Sequence, residues 1–301
     1  MTSPIAVFDR RLLRQRRDRA AAGADGHDFL LRETAALLAE RLELVKRPLP
    51  LIVDLGAHHG VFTEKLRQRP GTERVVSSDI SSAMAARGEG PAVVADEEFL
   101  PFKAASLDAV VSNLSLHWVN DLPGALLQIR QALKTDGLFM ATLLGGETLK
   151  ELRQCLMEAE LIVTGGASPR VSPFVDMRDM GALMPRAGFA LPVVDAEKIT
   201  VHYSSPLKLM RDLRGMGAAN ITHNRPQGFT RKAVLLEAAR LYQEKFSESG
   251  GEVTATFEAV FVIGWAPAES QQKPLKPGTA KTRLAQALQT AEISAGEKAG
   301  C

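Results

Sequence analysis

Three aspartates in the first third of the chain stand where ligand chemistry is expected. Asp54 follows the apolar run LIV, Asp79 ends the run RVVSSD, and Asp96 follows the run PAVVA. Open α/β sheets bind ligands beyond the carboxyl ends of their strands. At such ends Asp79 could accept hydrogen bonds from two ribose hydroxyls, and Asp96 could accept one from an adenine amino group. Each aspartate alone is typical of a helix cap or a turn, but three in succession indicate a nucleoside ligand.

The loop after Asp54 carries two spaced glycines, Gly56 and Gly60, with His58 and His59 between them. Glycine permits a tight turn and a close backbone approach to a ligand, and the following helix turns its free amides toward the same place. Asp54 would repel a phosphate, so it suits a ligand with a positive or donor group. The histidine pair could indicate a metal, but adjacent side chains can diverge and the spacing supplies no third ligand. We therefore predict a cofactor loop and no metal site.

The elements that position these residues alternate between short apolar runs and amphipathic stretches. Residues 29–45 have apolar side chains at helical spacing. Apolar runs begin at Leu51, Arg74, Pro91, Leu107 and Gly137, and a helix is predicted at about 122–133 before the last of them. This alternation predicts parallel strands joined by crossover helices, and the continuous apolar runs predict strands covered on both faces. The predicted fold class is α/β, with a mostly parallel twisted sheet and helices on both faces.

Length and composition favour one main domain. The chain has 301 residues, 45% of them hydrophobic and 24% charged, which is sufficient for a core. The net charge of +2 gives no global indication of nucleic-acid binding. We predict an N-terminal helical lead (1–48), a ligand-binding core (49–145), an elaborated second half of the same domain (146–266) and a largely disordered polar tail (267–301).

The two cysteines, Cys155 and Cys301, can form neither a disulfide framework nor a four-ligand zinc site. A reducing compartment is the natural interpretation. We find no apolar run long enough to predict a transmembrane helix. An arginine-rich stretch, RRLLRQRRDR, begins at Arg10. It could belong to a mitochondrial transit peptide, but Asp9 and Asp18 count against that, and we favour a solvated basic helix.

Several motifs together resemble those of class I S-adenosylmethionine-dependent methyltransferases. They are VDLGxxxG, SSDIS, ADEEFLPF and LDAVVSNLSLHWVNDLPGALLQIRQALKTDGLF. The resemblance implies a Rossmann-like fold and the cofactor S-adenosylmethionine. It implies that the turn and the methionine part are held by Asp54, Gly56 and Gly60. It also implies that Asp79 contacts the ribose, that Asp96 contacts the adenine and that Asn113 lies near the sulfonium.

His58 departs from the family pattern because it stands where the family has its middle glycine. A side chain there could crowd the cofactor or require a strained backbone conformation, although Gly56 and Gly60 should preserve the shape of the loop. His117, which follows the fourth apolar run beside Trp118, is the candidate catalytic base if the methyl acceptor arrives protonated. The alternative for His117 is a packed or capping histidine.

A second set of motifs resembles a narrower group. ADEEFLPFK, LSLHWVNDLP, GGETLKELR, SPRVSPF, RAGF and LMRDLRGMG are similar to motifs of the mitochondrial complex I assembly factor described as a protein-arginine hydroxylase, and of its bacterial relatives. The similarity runs from Phe8 to about Trp265. More distantly, the chain resembles the malonyl-carrier-protein methyltransferase of biotin synthesis.

The narrower resemblance implies a protein substrate in complex I assembly, in a bacterial cytoplasm or, for a eukaryotic source, in the mitochondrial matrix. Methyl transfer is the formal activity, and the alternatives are arginine hydroxylation, non-catalytic chaperoning of a complex I subunit and methylation of a malonyl carrier protein. Neither a nucleic acid nor a membrane span is expected. Glu97, Glu98 and Glu147 could bind a cationic side chain, but we favour solvated loop positions for them.

Overall fold

The computed structural model describes residues 6–248, 250–272, 279 and 282–291. The chain divides into two compact units, Met1–Pro267 and Ala268–Cys301. Among its described residues, the second unit has one short helix, α10 (Leu284–Ala287). Most of the predicted disordered tail lies outside the described residues. The disorder of the tail and the domain boundaries therefore stay predictions. Within the described ranges, no helix has the length and apolar character needed to span a bilayer.

The first unit is built on a seven-stranded sheet. Its strands are β1 (Leu51–Leu55), β2 (Arg74–Asp79), β3 (Ala92–Val94), β4 (Leu107–Asn113), β5 (Leu133–Leu144), β6 (Ala190–Tyr203) and β7 (Val253–Trp265). Their order is β3-β2-β1-β4-β5-β7-β6, and β7 runs antiparallel to both of its neighbours while the pairs from β3 to β5 are parallel. The strand order reverses between β1 and β4, which is the switch point where open α/β sheets bind ligands. The predicted fold class is confirmed.

Nine α-helices accompany the sheet in the described part of this unit. They are α1 (Arg10–Ala20), α2 (Phe29–Glu43), α3 (Val61–Gln68), α4 (Ser82–Ala85), α5 (Leu122–Ala132), α6 (Lys150–Thr164), α7 (Met177–Arg186), α8 (Pro206–Gly215) and α9 (Lys232–Phe246). Several begin at a side-chain cap that satisfies a free amide. Asp121 accepts from the Gly124 amide at the start of α5, and Ser205 accepts from the Lys208 amide at the start of α8.

Apolar side chains cover both faces of the sheet, as the continuous strand runs predict. On one face Val53 and Leu55 of β1 pack in the cluster that contains Leu126 and Ile129 of α5. On the other face Ile52 packs with Leu38 of α2 and Phe62 of α3. Neighbouring residues of β1 are therefore buried on opposite faces, which fixes the strand and holds its carboxyl end in place.

Candidate functional site

Helix α1 lies against the residues that follow β2, β3 and β4. Arg10, Leu13 and Arg17 stand at i, i+3 and i+7 and so share one face of the helix; Leu13 and Arg17 are each 1% exposed. Phe8, two residues before the helix, packs edge to face on Trp118, with ring centroids 5.7 Å apart. The expectation of a solvated basic helix is therefore wrong for this face, because its arginines are partnered by buried acids.

The guanidinium of Arg17 lies in the crevice itself. Its Nη1 donates to Asp79 Oδ2 at 3.0 Å, and its Nη2 donates to Ser115 Oγ at 2.9 Å. Glu97 Oε1 is 3.5 Å from Nη1 and accepts a hydrogen bond from Ser115 Oγ at 2.5 Å. Two buried carboxylates thus face one buried guanidinium, an arrangement that is stable only while all three remain together.

Asp79, predicted to bind a ribose, has both carboxylate oxygens engaged in this conformation. Besides Arg17, Oδ2 accepts from the backbone amide of His58 at 3.0 Å, and Oδ1 accepts from the amide of Ser81 at 2.8 Å. Burial raises the pKa of Asp79, and the charge of Arg17 acts against that rise. A ligand hydroxyl directed at Oδ2 must therefore compete with Arg17, whereas Oδ1 keeps one further acceptor position.

Asp96, predicted to bind an adenine, lies beside a neighbour that the sequence interpretation set aside. Arg10 Nη2 donates to Asp96 Oδ1 at 2.6 Å and also to Glu97 Oε2. Glu97 is fully buried, so its assignment as a solvated loop residue is wrong. Burial alone would raise the pKa of Glu97, but the charges of Arg10 and Arg17 together hold it below its ordinary value. One indication of this ion pairing was available in the sequence, since helical spacing places Arg10 and Arg17 on one face of a helix.

Two buried oxygens near the switch point have no hydrogen-bond partner among the described residues. Asp54 Oδ2 accepts from Thr63 Oγ1 at 2.6 Å, but Asp54 Oδ1 accepts from nothing. Burial raises the pKa of Asp54 to about 7. Asn113 Nδ2 donates to the carbonyl of Leu31 at 2.9 Å, while Asn113 Oδ1 also lacks a donor. Unsatisfied buried acceptors are costly, and a ligand that carries donors could satisfy them.

The loop after β1 keeps the two glycine turns around His58. Gly56 has φ +69°, and a Cβ added there would lie 2.1 Å from Ser115 Oγ; Gly60 has φ +92° and begins α3. His58 has φ +52°, in the left-handed region that costs a residue with a Cβ about 1–2 kcal/mol. Its ring Nε2 lies 3.3 Å from the carbonyl oxygen of Leu114, and burial keeps its pKa well below the ordinary value. His58 therefore adds both backbone strain and side-chain volume to the crevice.

His59 points away from this crevice into a separate ion-pair network. Its Nε2 lies 3.0 Å from Asp28 Oδ2 and 3.8 Å from Asp25 Oδ1. The fold therefore brings two carboxylates to this histidine, which the sequence spacing alone does not place there. Arg32 pairs with Asp28 at 2.7 Å, and Arg87 pairs with Asp25. Both carboxylates are therefore already paired with an arginine, while His59 Nδ1 has no hydrogen-bond partner among the described residues.

His117, the predicted base, lies in the short 3₁₀ helix Leu116–Trp118 after β4 and is buried. Its Nδ1 accepts from the Leu144 amide at 3.4 Å, and its ring packs at 4.9 Å from Trp118 and 5.9 Å from Phe174. Burial lowers its pKa to about 3, with a contribution from the charge of Arg17. A base works best with a pKa near the working pH, so His117 is a weak proton acceptor in this buried environment.

The neutral burial of His117 predicts a loss of stability in acid. Between a folded pKa of about 3 and an ordinary value of 6.5, the unfolded chain binds one more proton, so the free energy of unfolding falls as the pH falls. We expect the wild type to lose about 2 kcal/mol more than His117→Gln between about pH 7 and about pH 5. Urea unfolding at several pH values measures this difference.

The difference between the two proteins isolates His117 from the other buried groups. Asp54, with its pKa raised to about 7, acts in the opposite sense, but it does so equally in both proteins. An identical pH dependence in wild type and variant would contradict the neutral burial of His117.

The chemical character of these residues fits S-adenosylmethionine, but the volume of the crevice in this conformation does not. The fitting features are the strand-end acids, the positive-φ glycines and the two unsatisfied oxygens. The cavity that remains between Arg17, His58, Leu114 and His117 measures about 50 Å³. Small-molecule sites are typically about 300–1,000 Å³. In this conformation Arg17 therefore occupies space in the crevice that the cofactor would need.

Known proteins similar to this chain include both groups that the motifs indicate. Residues 53–141 match the family described as "Methyltransferase domain". "Arginine-hydroxylase NDUFAF5, mitochondrial" of Danio rerio is 42% identical over 286 residues, covering 93% of this chain and 88% of that protein. The human protein of the same name is 40% identical over 93% of this chain and 83% of its own length. "Malonyl-[acyl-carrier protein] O-methyltransferase" of Gallionella capsiferriformans is 34% identical over 87% of this chain and 92% of its own length.

Solved structures support the fold alone, because their sequence identity is low. YcgJ of Bacillus subtilis is 13% identical, has a TM-score of 0.55, and the match covers 78% of this chain and 99% of that one. Phosphoethanolamine N-methyltransferase 2 of Haemonchus contortus, in complex with S-adenosyl-L-methionine, is 15% identical with a TM-score of 0.53 over 85% of this chain and 60% of that one. The resemblance inferred from the motifs is confirmed.

Proposed function

The chain belongs to the class I S-adenosylmethionine-dependent methyltransferase superfamily, and we propose on that premise that it binds the cofactor at the switch point between β1 and β4. Asp79 would accept from the ribose and Asp96 from the adenine. Asp54, Gly56, Gly60 and Asn113 would line the methionine and sulfonium end. The observation that carries this proposal is the pair of buried, unsatisfied oxygens on Asp54 and Asn113 at the strand ends of a chain of this superfamily.

Cofactor binding in this proposal requires α1 to move. Arg17 holds Asp79 Oδ2, and Arg10 holds Asp96, so the basic face of α1 engages both acids that are assigned to the nucleoside. Displacing α1 would free these acceptors and enlarge the crevice together. It would also remove the positive charge that contributes to the lowered pKa of His117, which would make that histidine a better base.

We propose that the group acted on belongs to a protein, in respiratory complex I assembly. S-adenosylmethionine, when bound, supplies an electrophilic methyl group, and the chain has to orient the acceptor and exclude water. Glu97 pairs with the guanidiniums of Arg10 and Arg17 in this structure. With Asp79 assigned to the ribose, Glu97 would supply the guanidinium pocket, and this supports an arginine side chain as the target. The proposed place of action is a bacterial cytoplasm or, for a eukaryotic source, the mitochondrial matrix.

Three further candidates remain, and each has its own support. The name "Arginine-hydroxylase" of the relatives supports arginine hydroxylation, for which the same guanidinium pocket would serve. The filling of the crevice by Arg17 and His58 supports a non-catalytic chaperone of a complex I subunit. The second group of relatives supports O-methylation of a malonyl carrier protein.

Calorimetric titration with S-adenosylmethionine tests the cofactor proposal directly. The experiment compares the wild type with His58→Gly. This substitution removes the ring from the crevice and places at this positive φ a residue that adopts it without strain. We expect both to bind, and the variant to bind about tenfold more tightly, because its crevice no longer contains the buried ring that the cofactor would have to displace. His59→Ala, next to it but outside the crevice, is the matched control and should resemble the wild type.

Two outcomes would change the interpretation. Binding by His58→Gly alone would mean that His58 has closed the site and that the natural chain acts as a scaffold. Absence of binding by the wild type, His58→Gly and Arg17→Ala would contradict the assignment of these residues to the cofactor.

A further inference from the structure

A groove lined with arginines lies beside the crevice, bounded by α1, α8 and the loop before α9. We call it the basic groove, and its volume is about 1120 Å³. Six arginines line it: Arg16, Arg19, Arg170, Arg211, Arg214 and Arg225. The whole chain has a net charge of only +2, so this concentration of positive charge is a local feature and not a consequence of composition.

Most of this charge is not neutralised within the part of the chain that the structure describes. Arg170 pairs with Glu160 at 2.6 Å, and Arg225 lies 3.6 Å from Asp9. The other four arginines of the groove form no ion pair with a described carboxylate. Arg16 donates instead to the carbonyl of Asn220 at 2.6 Å.

The arginines of the groove lie close enough to repel one another. Burial lowers the pKa of Arg16, and the charges of Arg225, Arg19 and Arg214 lower it further. A ligand that brings negative charge into the groove would relieve this repulsion and gain charge-assisted hydrogen bonds.

The basic groove is continuous with the crevice. His27 and Gly217 line both the groove and the small cavity that Arg17 and His117 also line. At this junction His27 Nδ1 lies 2.5 Å from Asp212 Oδ1. Arg16, in the groove, precedes Arg17, in the crevice. An extended chain in the groove could therefore place one residue at the crevice while its neighbours contact arginines.

We propose that the basic groove binds an acidic segment of the protein substrate, next to the residue that is modified. This inference rests on the proposed function and makes it more specific, because it names the charge of the sequence that flanks the target. The planar guanidinium matches a carboxylate with two parallel hydrogen bonds.

The shape and lining of the groove favour a polypeptide over other polyanions. A bilayer surface is broad and cannot enter a concavity, whereas the arginines here line one. Apolar groups are interspersed among the arginines, namely Leu235, Pro226 and the fully exposed ring of Phe229. A peptide with mixed acidic and apolar side chains satisfies both kinds of surface, while the regular phosphates of a nucleic acid would use only the charges.

Fluorescence anisotropy with a short labelled polyglutamate peptide tests the proposal on the full-length protein. The variant reverses two exposed charges of α8, Arg211→Glu with Arg214→Glu, and should weaken peptide binding at least about tenfold. The matched control reverses two exposed arginines of α7, Arg178→Glu with Arg186→Glu, and should bind as the wild type does. Binding should also weaken as salt is raised, because these charges are exposed.

Parallel measurements separate this inference from the proposed function. If S-adenosylmethionine binds but polyglutamate does not, or both charge-reversal proteins bind the peptide equally, the groove proposal is overturned and the cofactor proposal stands. If polyglutamate binds as described but the cofactor does not, the cofactor proposal is overturned and the groove proposal stands. Tighter binding of a single-stranded oligonucleotide or of phosphatidylglycerol vesicles, lost in the α8 variant, would overturn the choice of an acidic polypeptide.

Discussion

Replacing Arg17 with alanine should lower the free energy of unfolding by about 3–5 kcal/mol at neutral pH, the typical cost of removing one partner from a buried ion pair. Arg17 is 1% exposed and faces two carboxylates, those of Asp79 and Glu97, each no more than 1% exposed. Without the guanidinium, both acids would remain buried with less countercharge. Urea unfolding of wild type and variant, extrapolated to water, measures the loss.

The control for this prediction lies on the same helix. Arg14 is exposed, so Arg14→Ala changes the helix composition equally but should alter stability by no more than about 0.5 kcal/mol. Adding Asp79→Asn to Arg17→Ala removes one of the stranded charges and should recover part of the loss, which makes the coupling visible in a double-mutant cycle. A loss in Arg17→Ala no larger than that in Arg14→Ala would mean that Arg17 does not occupy the crevice in solution.

The sequence was sufficient to predict the sheet because the strand signals are local. The run LIVDL forms β1, and RVVSSD forms β2, since a strand covered on both faces is apolar on successive residues. Boundaries were less predictable where tertiary pairing extends an element. β5 begins at Leu133, before the run that starts at Gly137, because Leu107 of β4 pairs with Leu133.

The closure of the site could not be predicted in the same way. Helical spacing indicates that residues 10–20 form a helix, but arginine is mostly exposed in proteins, which favours a solvated face. The burial of Arg17 depends on Asp79, 62 residues away, and on Ser115, 98 residues away. No local pattern encodes such contacts. The sequence contains the positive and the negative partners only as two separate features. One is a helix face with Arg10 and Arg17, and the other is the acidic run that begins at Asp96.

The unusual residue of the loop was correctly located but only partly understood. Because glycine is absent at position 58, the sequence predicts strain or crowding, and the structure has both a φ of +52° and a buried ring. What the sequence does not indicate is that the His58 amide and Arg17 share one acceptor, Asp79 Oδ2. His58 and Arg17 therefore act on the same acid, one from the loop and one from the helix.

The same arrangement predicts that Arg17→Ala binds S-adenosylmethionine about 10- to 100-fold more tightly than the wild type. A ligand that needs the open form binds with an apparent affinity reduced by the fraction of molecules that are open. Hydrogen bonds to charged groups contribute about 1.5–3 kcal/mol, and each 1.4 kcal/mol corresponds to about tenfold in affinity. Losing the hold of Arg17 on Asp79 should therefore shift the population toward the open form by about this factor.

Calorimetry on the wild type, Arg17→Ala and Arg14→Ala measures the effect, and Arg14→Ala should match the wild type because its side chain is exposed. Asp79→Asn separates competition from a general loosening of the fold. It weakens the hold on Arg17 as well, yet it should bind the cofactor less tightly than Arg17→Ala, because the proposed ribose acceptor has been altered. Equal affinity in wild type and Arg17→Ala would show that the guanidinium does not compete with the cofactor. Weaker binding by Arg17→Ala would instead make Arg17 part of the cofactor site, with α1 remaining in place over the bound nucleoside.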